Sequence, residues 1–422
     1  MHPGVAVVLP WLVTLGCGAV QAADNIVPVE VRQLYQGDKC NKLYVAVTVC
    51  NTAQQCRTVP DVLVDTVSPG LRLFRSALVG LELDAVTARG HPVANWGRFA
   101  SGALWGTLHW AEVQLGGVAT TAAIPIELFD EPGPGESLPS GYGSADARSK
   151  LRMTVGNGIL GISPQRFAEA GYYLNVGSHG VRSKSDWEPV KIHDALKLAN
   201  PIGHFPAPYD TGSVIRLPEV DRAGGQSTAQ GWLGFGIGRP TAALFPQGGR
   251  LIVHELDQRS RFPAVVEQRA VDMMLDSGSN FLVLSLDHPG FAEHPNFARC
   301  YNPVALTPID LRFPSAGREI ELARPLLVGS ADQLHKARQG CAVLPTIAAR
   351  PRAEPGEEGA PGGLRTNVLG LPFFYGRSVA TGLEGAINPY LEPVPASAPR
   401  LAGDAGADRA MASRYGFVAY TD

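Results

Sequence analysis

Residues 62–68 read Val-Leu-Val-Asp-Thr-Val-Ser, and residues 273–279 read Met-Met-Leu-Asp-Ser-Gly-Ser. In both stretches an apolar, strand-like run ends at an aspartate, which is followed by a hydroxyl residue and, two positions later, by a serine. The two acids are Asp65 and Asp276. An acid at the end of a strand is well placed to act on a ligand, so we interpret the two stretches as matching halves of one site.

A second phrase follows each of these stretches. Residues 159–161 read Ile-Leu-Gly and residues 368–370 read Val-Leu-Gly, at nearly the same distance after the preceding aspartate. Chance rarely supplies both phrases twice in the same order. The pattern therefore predicts a duplicated unit, in which Asp65 and Asp276 face each other on a pseudo-twofold axis.

The length and composition favour two mostly β units. A chain of 422 residues exceeds what one hydrophobic core usually supports. Hydrophobic residues make up 45% and charged residues 18%, and the 48 Gly and 34 Pro suit short strands joined by tight turns. We expect an N-terminal lobe over residues 23–205 with Asp65 and a C-terminal lobe over residues 206–422 with Asp276. The net charge of -3 leaves no basic stripe for phosphates, so nucleic acid is not an expected partner.

The first residues resemble an export signal. Residues 5–20 carry no charge, and Val20-Gln21-Ala22 resembles a signal peptidase site, so we predict a signal peptide over residues 1–22. The start, Met1-His2-Pro3, lacks the usual Lys or Arg, which leaves a retained anchor as the alternative. No later apolar run reaches the roughly 18 residues that span a bilayer. The mature chain is therefore expected to be periplasmic or secreted, without a membrane span, and monomeric.

All cysteines except Cys17 follow the leader, and an oxidising compartment permits disulfides. Cys50 and Cys56 bracket a polar turn between two strand-like runs, which predicts a bridge that closes a hairpin. Cys300 and Cys341 are the next expected pair. Cys40 is then left over, either as a small buried hydrophobe or as a reactive thiol.

Local patterns predict strands before and after the first acid. The predicted strands are residues 43–49, 59–64, 107–115 and 122–129. Only short helices are expected. The clearest helix signals are at Ser163-Pro164 and in residues 185–199.

The paired motifs resemble the pepsin family of aspartic proteases, in which an Asp-Thr/Ser-Gly-Thr/Ser loop from each lobe is crossed by a hydrophobic-hydrophobic-Gly strand. Residues 70–72, Asn280 and residues 370–377 look more specifically like an uncharacterised bacterial branch of exported pepsin-like proteins, for which no substrate is assigned. The resemblance implies a mostly β, bilobal fold, with two pseudo-symmetric β-barrel-like lobes, a central cleft and short helices.

The resemblance also implies roles for individual residues. Asp65 and Asp276 would be the catalytic pair, sharing one proton and activating a water molecule with no metal or cofactor. Ser68 and Ser279 would hydrogen-bond the two carboxylates from outside. The other positions in the two loops are Thr66, Ser277 and Gly278. The flap over the cleft would involve Ser101, Gly102 and Trp105, and a place in the core is the equal alternative for Trp105.

The leading hypothesis is an exported aspartic endopeptidase that hydrolyses a peptide or protein substrate held in the cleft. The alternative is a catalytically degenerate pepsin-fold protein that binds a peptide, an envelope protein or a glycan. This alternative is favoured by Val67, which stands where the family has glycine, and by the missing tyrosine of the flap. A third reading is an unrelated exported β-sandwich protein, in which Asp65 and Asp276 would lie far apart.

One stretch carries the literal family motif and is not assigned to the site. Residues 210–213 read Asp-Thr-Gly-Ser, but residues 205–209 before them read Phe-Pro-Ala-Pro-Tyr, which is not an apolar strand. The interval up to Asp276 is also too short for the flap and the crossing strand of a first lobe. We predict a polar turn at this stretch.

Overall fold

The computed structural model describes most of the chain. The described residues are 24–35, 39–99, 102–129, 155–176, 187–222, 225–246, 249–297, 299–315, 318–351, 366–391 and 412–422. The predicted signal peptide lies outside them. Within these ranges no helix has the length and the apolar character needed to cross a membrane.

The described chain consists mainly of short strands, as its composition predicts. The strands are β1 (Ile26–Val31), β2 (Leu43–Cys50), β3 (Cys56–Asp65), β4 (Pro69–Phe74), β5 (Thr87–Ala88), β6 (His91–Phe99), β7 (Gly102–Leu115), β8 (Val118–Ala119), β9 (Ile124–Phe129), β10 (Gly158–Ile162), β11 (Tyr172–Asn175), β12 (Trp187–Pro189), β13 (Gly212–Arg216), β14 (Ala229–Phe235), β15 (Leu251–Glu255), β16 (Phe262–Val266), β17 (Arg269–Leu275), β18 (Leu282–Val283), β19 (Thr307–Pro308), β20 (Leu311–Ser315), β21 (Arg318–Glu321), β22 (Leu327–Val328), β23 (Ala348–Ala349), β24 (Thr366–Leu369), β25 (Ser378–Gly382) and β26 (Phe417–Thr421). The helices are α1 (Gln333–Arg338), α2 (Leu371–Phe374) and single 3-10 turns at Arg75–Leu78, Asp194–Leu196, Pro201–His204, Arg239–Leu244 and Pro289–Phe291. The mostly β fold class and the four predicted strands are confirmed.

The two aspartates follow strands that have the same neighbours. β3 ends at Asp65 and pairs in parallel with β10, β10 pairs antiparallel with β4, and β4 runs parallel to β9. In the second half, β17 ends just before Asp276 and pairs in parallel with β24, β24 pairs antiparallel with β18, and β18 runs parallel to β23. β10 and β24 carry the two apolar-apolar-glycine phrases. The predicted duplication is therefore confirmed at the level of strand order.

The glycine of each phrase is required by a close backbone approach. A Cβ atom at Gly161 would collide with the carbonyl oxygen of Ser68, and a Cβ atom at Gly370 would collide with the carbonyl oxygen of Ser279. Ser68 and Ser279 hold equivalent places after the two aspartates. The crossing strands can therefore lie against the aspartate loops only because both positions lack a side chain.

The hairpin of β2 and β3 confirms one of the two predicted disulfides. Cys50 pairs with Cys56 at the end of the ladder, and a disulfide joins them. The predicted bridge between Cys300 and Cys341 is wrong, because both thiols are free.

The two free thiols belong to separate hydrophobic clusters. Cys300 packs with Ala331 and Ala349, whereas Cys341 packs against the cluster that contains Cys40 and Leu344. Spacing along the sequence could not show this separation, since each cluster gathers residues that are distant in sequence. Cys40 is 1% exposed, in keeping with its interpretation as a small buried hydrophobe.

A continuous antiparallel run of strands links the two ends of the described chain. Its order is β15, β26, β25, β13, β14 and β1, and β1 also pairs with β2. Gly212 and Ser213 of the Asp-Thr-Gly-Ser stretch are the first residues of β13, and Asp210 lies in the turn before it. The literal motif therefore belongs to this linking sheet, as its predicted turn implied.

Over the described residues, neither predicted helix is present. After β10 the Ser163 N–H group donates to the Ser68 carbonyl, and the Asn200 side chain donates to the Ser163 carbonyl, so the backbone stays extended. In the second predicted helix, β12 pairs with β11, and residues 194–196 form one 3-10 turn. Sheet pairing with distant strands overrides the local helix signals here.

Candidate active site

Asp65 is buried at the end of β3, and its own loop holds both carboxylate oxygens. Oδ1 accepts the backbone N–H group of Val67 at 2.8 Å and that of Ser68 at 3.2 Å. Oδ2 accepts the Ser68 hydroxyl at 2.5 Å. The tight turn after the strand therefore fixes the orientation of the carboxylate, and Ser68 has the position that the sequence predicts.

Asp276 is held in the same way by the second loop. Oδ1 accepts the Gly278 N–H group at 2.8 Å, and Oδ2 accepts the Ser279 hydroxyl at 2.6 Å. The Asp276 N–H group donates to the Leu369 carbonyl of the crossing strand at 3.1 Å. Both aspartates are therefore oriented by a backbone N–H group two residues on and a serine hydroxyl three residues on.

Hydrogen bonds between the loops hold the two halves together. The Thr66 hydroxyl donates to the Leu275 carbonyl at 2.8 Å and accepts the Ser277 N–H group at 3.0 Å. The Ser277 hydroxyl donates to the Val64 carbonyl at 2.8 Å. Both hydroxyl residues are buried, so these bonds are shielded from competing water.

The two carboxyl groups lie side by side. A Cβ atom placed on Gly278 would lie 3.1 Å from Oδ1 of Asp276 and 3.2 Å from Cγ of Asp65. Burial, followed by the negative charge of Asp65, raises the pKa of Asp276 to about 7. The structure thus brings together the two acids that the sequence pairs, and it excludes the reading in which they lie far apart.

Val67 fits its loop without unusual backbone geometry. Neither Val67 nor the matching Gly278 has a positive φ angle, and the N–H group of each donates to its aspartate at the same distance, 2.8 Å. Glycine at this position is therefore not needed for backbone freedom. What glycine provides is space, because the carboxyl groups surround the Gly278 position closely.

Among the described residues, no three His, Cys, Asp or Glu side chains form a group that could hold a metal ion. The chemistry of this site is that of two adjacent carboxyl groups. Such a pair can share a proton, accept a proton from water with one member and donate a proton with the other.

One protein family matches most of this chain. A family described as "Protein of unknown function (DUF3443)" has a model that matches residues 21–397. The chain belongs to the DUF3443 family. No curated protein matches its sequence.

One solved structure similar to this DUF3443 chain is the crystal structure of an aspartic proteinase from Irpex lacteus. The sequence identity is 12% and the TM-score is 0.45, over 84% of this chain and 93% of that chain. At this level of similarity the neighbour does not bear on the activity of the DUF3443 chain.

The predicted flap is a hairpin of β6 and β7. Gly102 begins β7 opposite Phe99, and Ser101 lies outside the described residues. Trp105 lies lower in the hairpin and is 4% exposed. Its ring packs edge-on against Tyr173 at 5.3 Å and Trp187 at 4.9 Å. Of the two readings of Trp105, the burial and the ring contacts support the core position.

A contact that the sequence patterns above do not predict, between Arg72 and Phe99, connects the hairpin tip to the first aspartate loop. Arg72 lies on β4, and its guanidinium lies 5.4 Å from the ring centre of Phe99, the last residue of β6. Arg72 Nε donates to Glu127 at 2.8 Å, and Nη1 donates to the Pro69 carbonyl at 2.7 Å. Phe99 is thus held beside β4, and it also packs against the hydrophobic cluster that contains Leu104 and Phe129.

The ion pair between Arg72 and Glu127 does have a signal in the sequence. Residues 69–74 and 124–129 are apolar strands that each contain one charged residue, and the two charges are opposite. The structure pairs these strands in parallel with Arg72 beside Glu127. A buried charge needs a partner, so two lone opposite charges in buried strands predict each other.

The buried Asn41 was also missed. Its side chain donates to the Asn280 carbonyl at 2.9 Å and accepts the Leu344 N–H group and the Tyr375 hydroxyl at 2.9 and 2.8 Å. Asn280 donates back to the Cys40 carbonyl. The segment before β2 is thereby tied to the residue that follows the second aspartate loop. No local pattern in the sequence predicts this connection between Asn41 and Asn280.

Proposed function

We propose that the DUF3443 chain is an exported aspartic endopeptidase that acts on extended peptide segments. The observation that carries this proposal is the pair of adjacent carboxyl groups, each oriented by its own loop, with the pKa of one raised to about 7. Two equivalent acids in water would both be ionised at neutral pH. A raised pKa on one of them keeps a proton available for catalysis.

The proposed reaction uses one water molecule and forms no covalent enzyme intermediate. Asp65 accepts a proton as the water oxygen attacks the scissile carbonyl carbon, and Asp276 donates its proton to the carbonyl oxygen. The resulting tetrahedral diol collapses when Asp65 passes its proton to the amide nitrogen, the C–N bond breaks, and a diol hydroxyl returns a proton to Asp276 as the carbonyl re-forms. Ser68 and Ser279 keep the two carboxyl groups in place throughout.

The proposed substrate lies between the aspartate pair and the hairpin of β6 and β7. Phe99 ends β6 of this hairpin, and its ring lies beside the Arg72 guanidinium. An extended peptide suits a site walled by a hairpin, because its backbone groups and alternate side chains can both be contacted.

The test is cleavage of a reduced and alkylated protein by the full chain between pH 3 and pH 8. Asp65→Asn and Asp276→Asn should each lower the cleavage rate at least about a hundredfold, since each removes one proton-transfer group. Asp210→Asn is the matched control, because it changes the aspartate of the literal motif in the linking sheet. It should leave the rate unchanged, and pepstatin should inhibit the parent chain.

The second candidate function is a catalytically degenerate protein that binds a peptide, an envelope protein or a glycan. Val67 favours it, because a side chain at the matching Gly278 position would crowd both carboxyl groups. Absence of cleavage by a folded parent chain at every pH would reject the endopeptidase and leave this candidate.

The location that we propose is the periplasm or the extracellular medium. The disulfide between Cys50 and Cys56 supports an oxidising compartment. Residues 1–22 are the proposed signal peptide. Export can be followed by fractionation, with the mass of the mature chain showing whether the leader is removed.

A further inference from the structure

A buried ion pair lies against the hairpin of β6 and β7, and the proposed proton transfers do not involve it. Arg72 of β4 and Glu127 of β9 are neighbours in the parallel pairing of these strands, and Arg72 Nε donates to Glu127 at 2.8 Å. The two side chains are 3% and 0% exposed. Apolar residues of similar volume often replace such a pair without loss of stability, so stability alone does not account for it.

Two glycines of the hairpin make room for this ion pair. A Cβ atom on Gly106 of β7 would lie 2.8 Å from Cγ of Glu127. A Cβ atom on Gly97 of β6 would lie 3.4 Å from Nε of Arg72 and 3.0 Å from Cε2 of Phe99. Each strand of the hairpin therefore lies against one member of the pair at a position that has no side chain.

Arg72 contacts both the end of the hairpin and the segment after the first aspartate. Its guanidinium lies 5.4 Å from the ring centre of Phe99, whose side chain is half-buried. Nη1 donates to the Pro69 carbonyl at 2.7 Å. Pro69 directly follows Ser68, which donates to both carboxylate oxygens of Asp65. One side chain thus joins the end of the hairpin to the segment that orients a carboxyl group of the pair.

A guanidinium is suited to this combination of contacts. Its N–H donors form a rigid fork, so different nitrogens can serve the Glu127 carboxylate and the Pro69 carbonyl at the same time. It also interacts favourably with an aromatic ring, and more strongly where water is excluded. The ion pair with Glu127 keeps the guanidinium in the place where the other two contacts are possible.

We propose that Arg72 is a positioning residue that holds the end of the hairpin, through Phe99, against the segment that follows the first aspartate loop. Glu127 keeps the Arg72 guanidinium in place. In this arrangement the end of the hairpin keeps one position when an extended peptide binds. The effect on peptide binding rests on the proposed endopeptidase function, whereas the hold on the hairpin does not.

The first test measures the hairpin without any cleavage. Hydrogen exchange of the amides of residues 95–99 and 102–106 is compared in the parent and in the double variant Arg72→Met with Glu127→Leu, which leaves no buried charge without a partner. Exchange should be at least about tenfold faster in the double variant, because the guanidinium no longer holds the hairpin. Unchanged exchange there would overturn the proposal.

Two single variants locate the effect. Phe99→Leu removes the ring that Arg72 contacts and should also speed the exchange of the hairpin amides. Phe313→Leu is the matched control, since Phe313 is a fully buried phenylalanine of β20 in the second half of the chain. It should leave exchange in the hairpin unchanged. Equal acceleration in both variants would show a general loss of stability and reject a specific hold.

The second test uses peptide cleavage and separates positioning from stability. In the double variant KM should rise at least about fivefold and kcat should fall less than about threefold, because both carboxyl groups keep the hydrogen bonds of their own loops. A smaller folded fraction would lower the rate without changing KM, as expected for Phe313→Leu. A decrease in kcat with an unchanged KM in the double variant would reject a role for Arg72 in peptide binding.

The third test asks whether Arg72 and Phe99 act together. Addition of Phe99→Leu to the double variant should change KM by less than about twofold, since the contact between the two residues is already lost. Effects on KM that multiply would show that the residues act separately and would contradict the proposal. A folded parent that cleaves nothing would reject the proposed function, and hydrogen exchange would then decide whether Arg72 holds the hairpin.

Discussion

The two aspartate loops of this protein have the same hydrogen bonds but different amounts of space. In each loop a backbone N–H group donates to Oδ1 at 2.8 Å and a serine hydroxyl donates to Oδ2, at 2.5 Å in the first loop and 2.6 Å in the second. The first loop has Val67 where the second has Gly278. The valine therefore leaves the hydrogen bonds of the dyad intact, and the difference between the loops lies in the volume beside the carboxyl groups.

The comparison also separates two uses of glycine in this site. Gly161 and Gly370 let a crossing strand touch a loop, and a Cβ atom at either would meet a backbone oxygen. A Cβ atom placed on Gly278 would instead meet the carboxyl groups themselves, at 3.1 Å from Oδ1 of Asp276 and 3.2 Å from Cγ of Asp65. Backbone atoms cannot move aside at little cost, whereas a side chain beside a carboxyl group changes how much water reaches it.

The largest effect is expected when the second loop is made like the first. Gly278→Val should lower kcat/KM at least about a hundredfold, because the new side chain displaces the carboxyl groups from their positions. Gly249→Val is the matched control, since the nearest atom to its Cβ position is 3.8 Å away. Full activity in Gly278→Val would show that the Gly278 position is less crowded than its distances indicate.

The hydrogen bonds that Thr66 and Ser277 form between the two loops should contribute unequally to the free energy of unfolding. Thr66→Val removes a hydroxyl that serves both the Leu275 carbonyl and the Ser277 N–H group, and it should lower the free energy of unfolding by about 3 kcal/mol. Ser277→Ala removes one bond, to the Val64 carbonyl, and should cost about 1 kcal/mol. Urea denaturation of both variants measures the difference. Equal costs would contradict the central position of Thr66.

The smallest effect is expected when Val67 of the first loop is replaced by glycine, the residue at the matching position of the second loop. From the matching hydrogen bonds of the two loops, we expect the Val67 side chain to lie beside the Asp276 carboxyl and to limit its hydration. Since burial is the main cause of the raised Asp276 pKa, Val67→Gly should lower that pKa by about half a unit to one unit.

The sign of the pH effect follows from the direction of this shift. A carboxyl group with a raised pKa keeps its proton at low pH and loses it as the pH rises through about 7, so activity that needs the proton falls there. In Val67→Gly this decrease in activity should occur at lower pH than in the parent chain, and in Val67→Ala it should occur at a pH between those of the parent and Val67→Gly. The pH profile of kcat/KM is the measurement, and an unmoved or upward-shifted limb would reject a role for Val67 in shielding Asp276.

Much of the site could be predicted because its signals are local or repeated. The acid at a strand end, the following serine and the apolar-apolar-glycine phrase each occur twice in order, and the structure brings both copies together. The hairpin of β2 and β3 and its Cys50–Cys56 bridge follow from residues that are close in sequence. Such patterns depend on turn geometry and strand periodicity, which neighbouring residues determine.

Predictions that needed distant neighbours failed or were not made. A single aromatic such as Trp105 fits a flap or a core by sequence alone, and only its contacts with Tyr173 and Trp187 place it in the core. The predicted bridge between Cys300 and Cys341 has no local pattern behind it, and the two thiols pack in separate clusters. The contact between Phe99 and Arg72 is not predicted, because it joins two strands that are not neighbours in sequence.

The sequence by itself determined the mostly β class, the duplicated halves, the pairing of Asp65 with Asp276 and the disulfide of the first hairpin. Only the tertiary structure decided that Val67 is compatible with the hydrogen bonds of its loop, that Phe99 is the aromatic residue at the hairpin tip, and that the ion pair of Arg72 and Glu127 lies against that hairpin. The physical reason is that strand patterns and turns are set by short-range sterics and hydrophobic periodicity. Burial, ion pairs and pKa shifts depend instead on which distant groups the fold brings into contact.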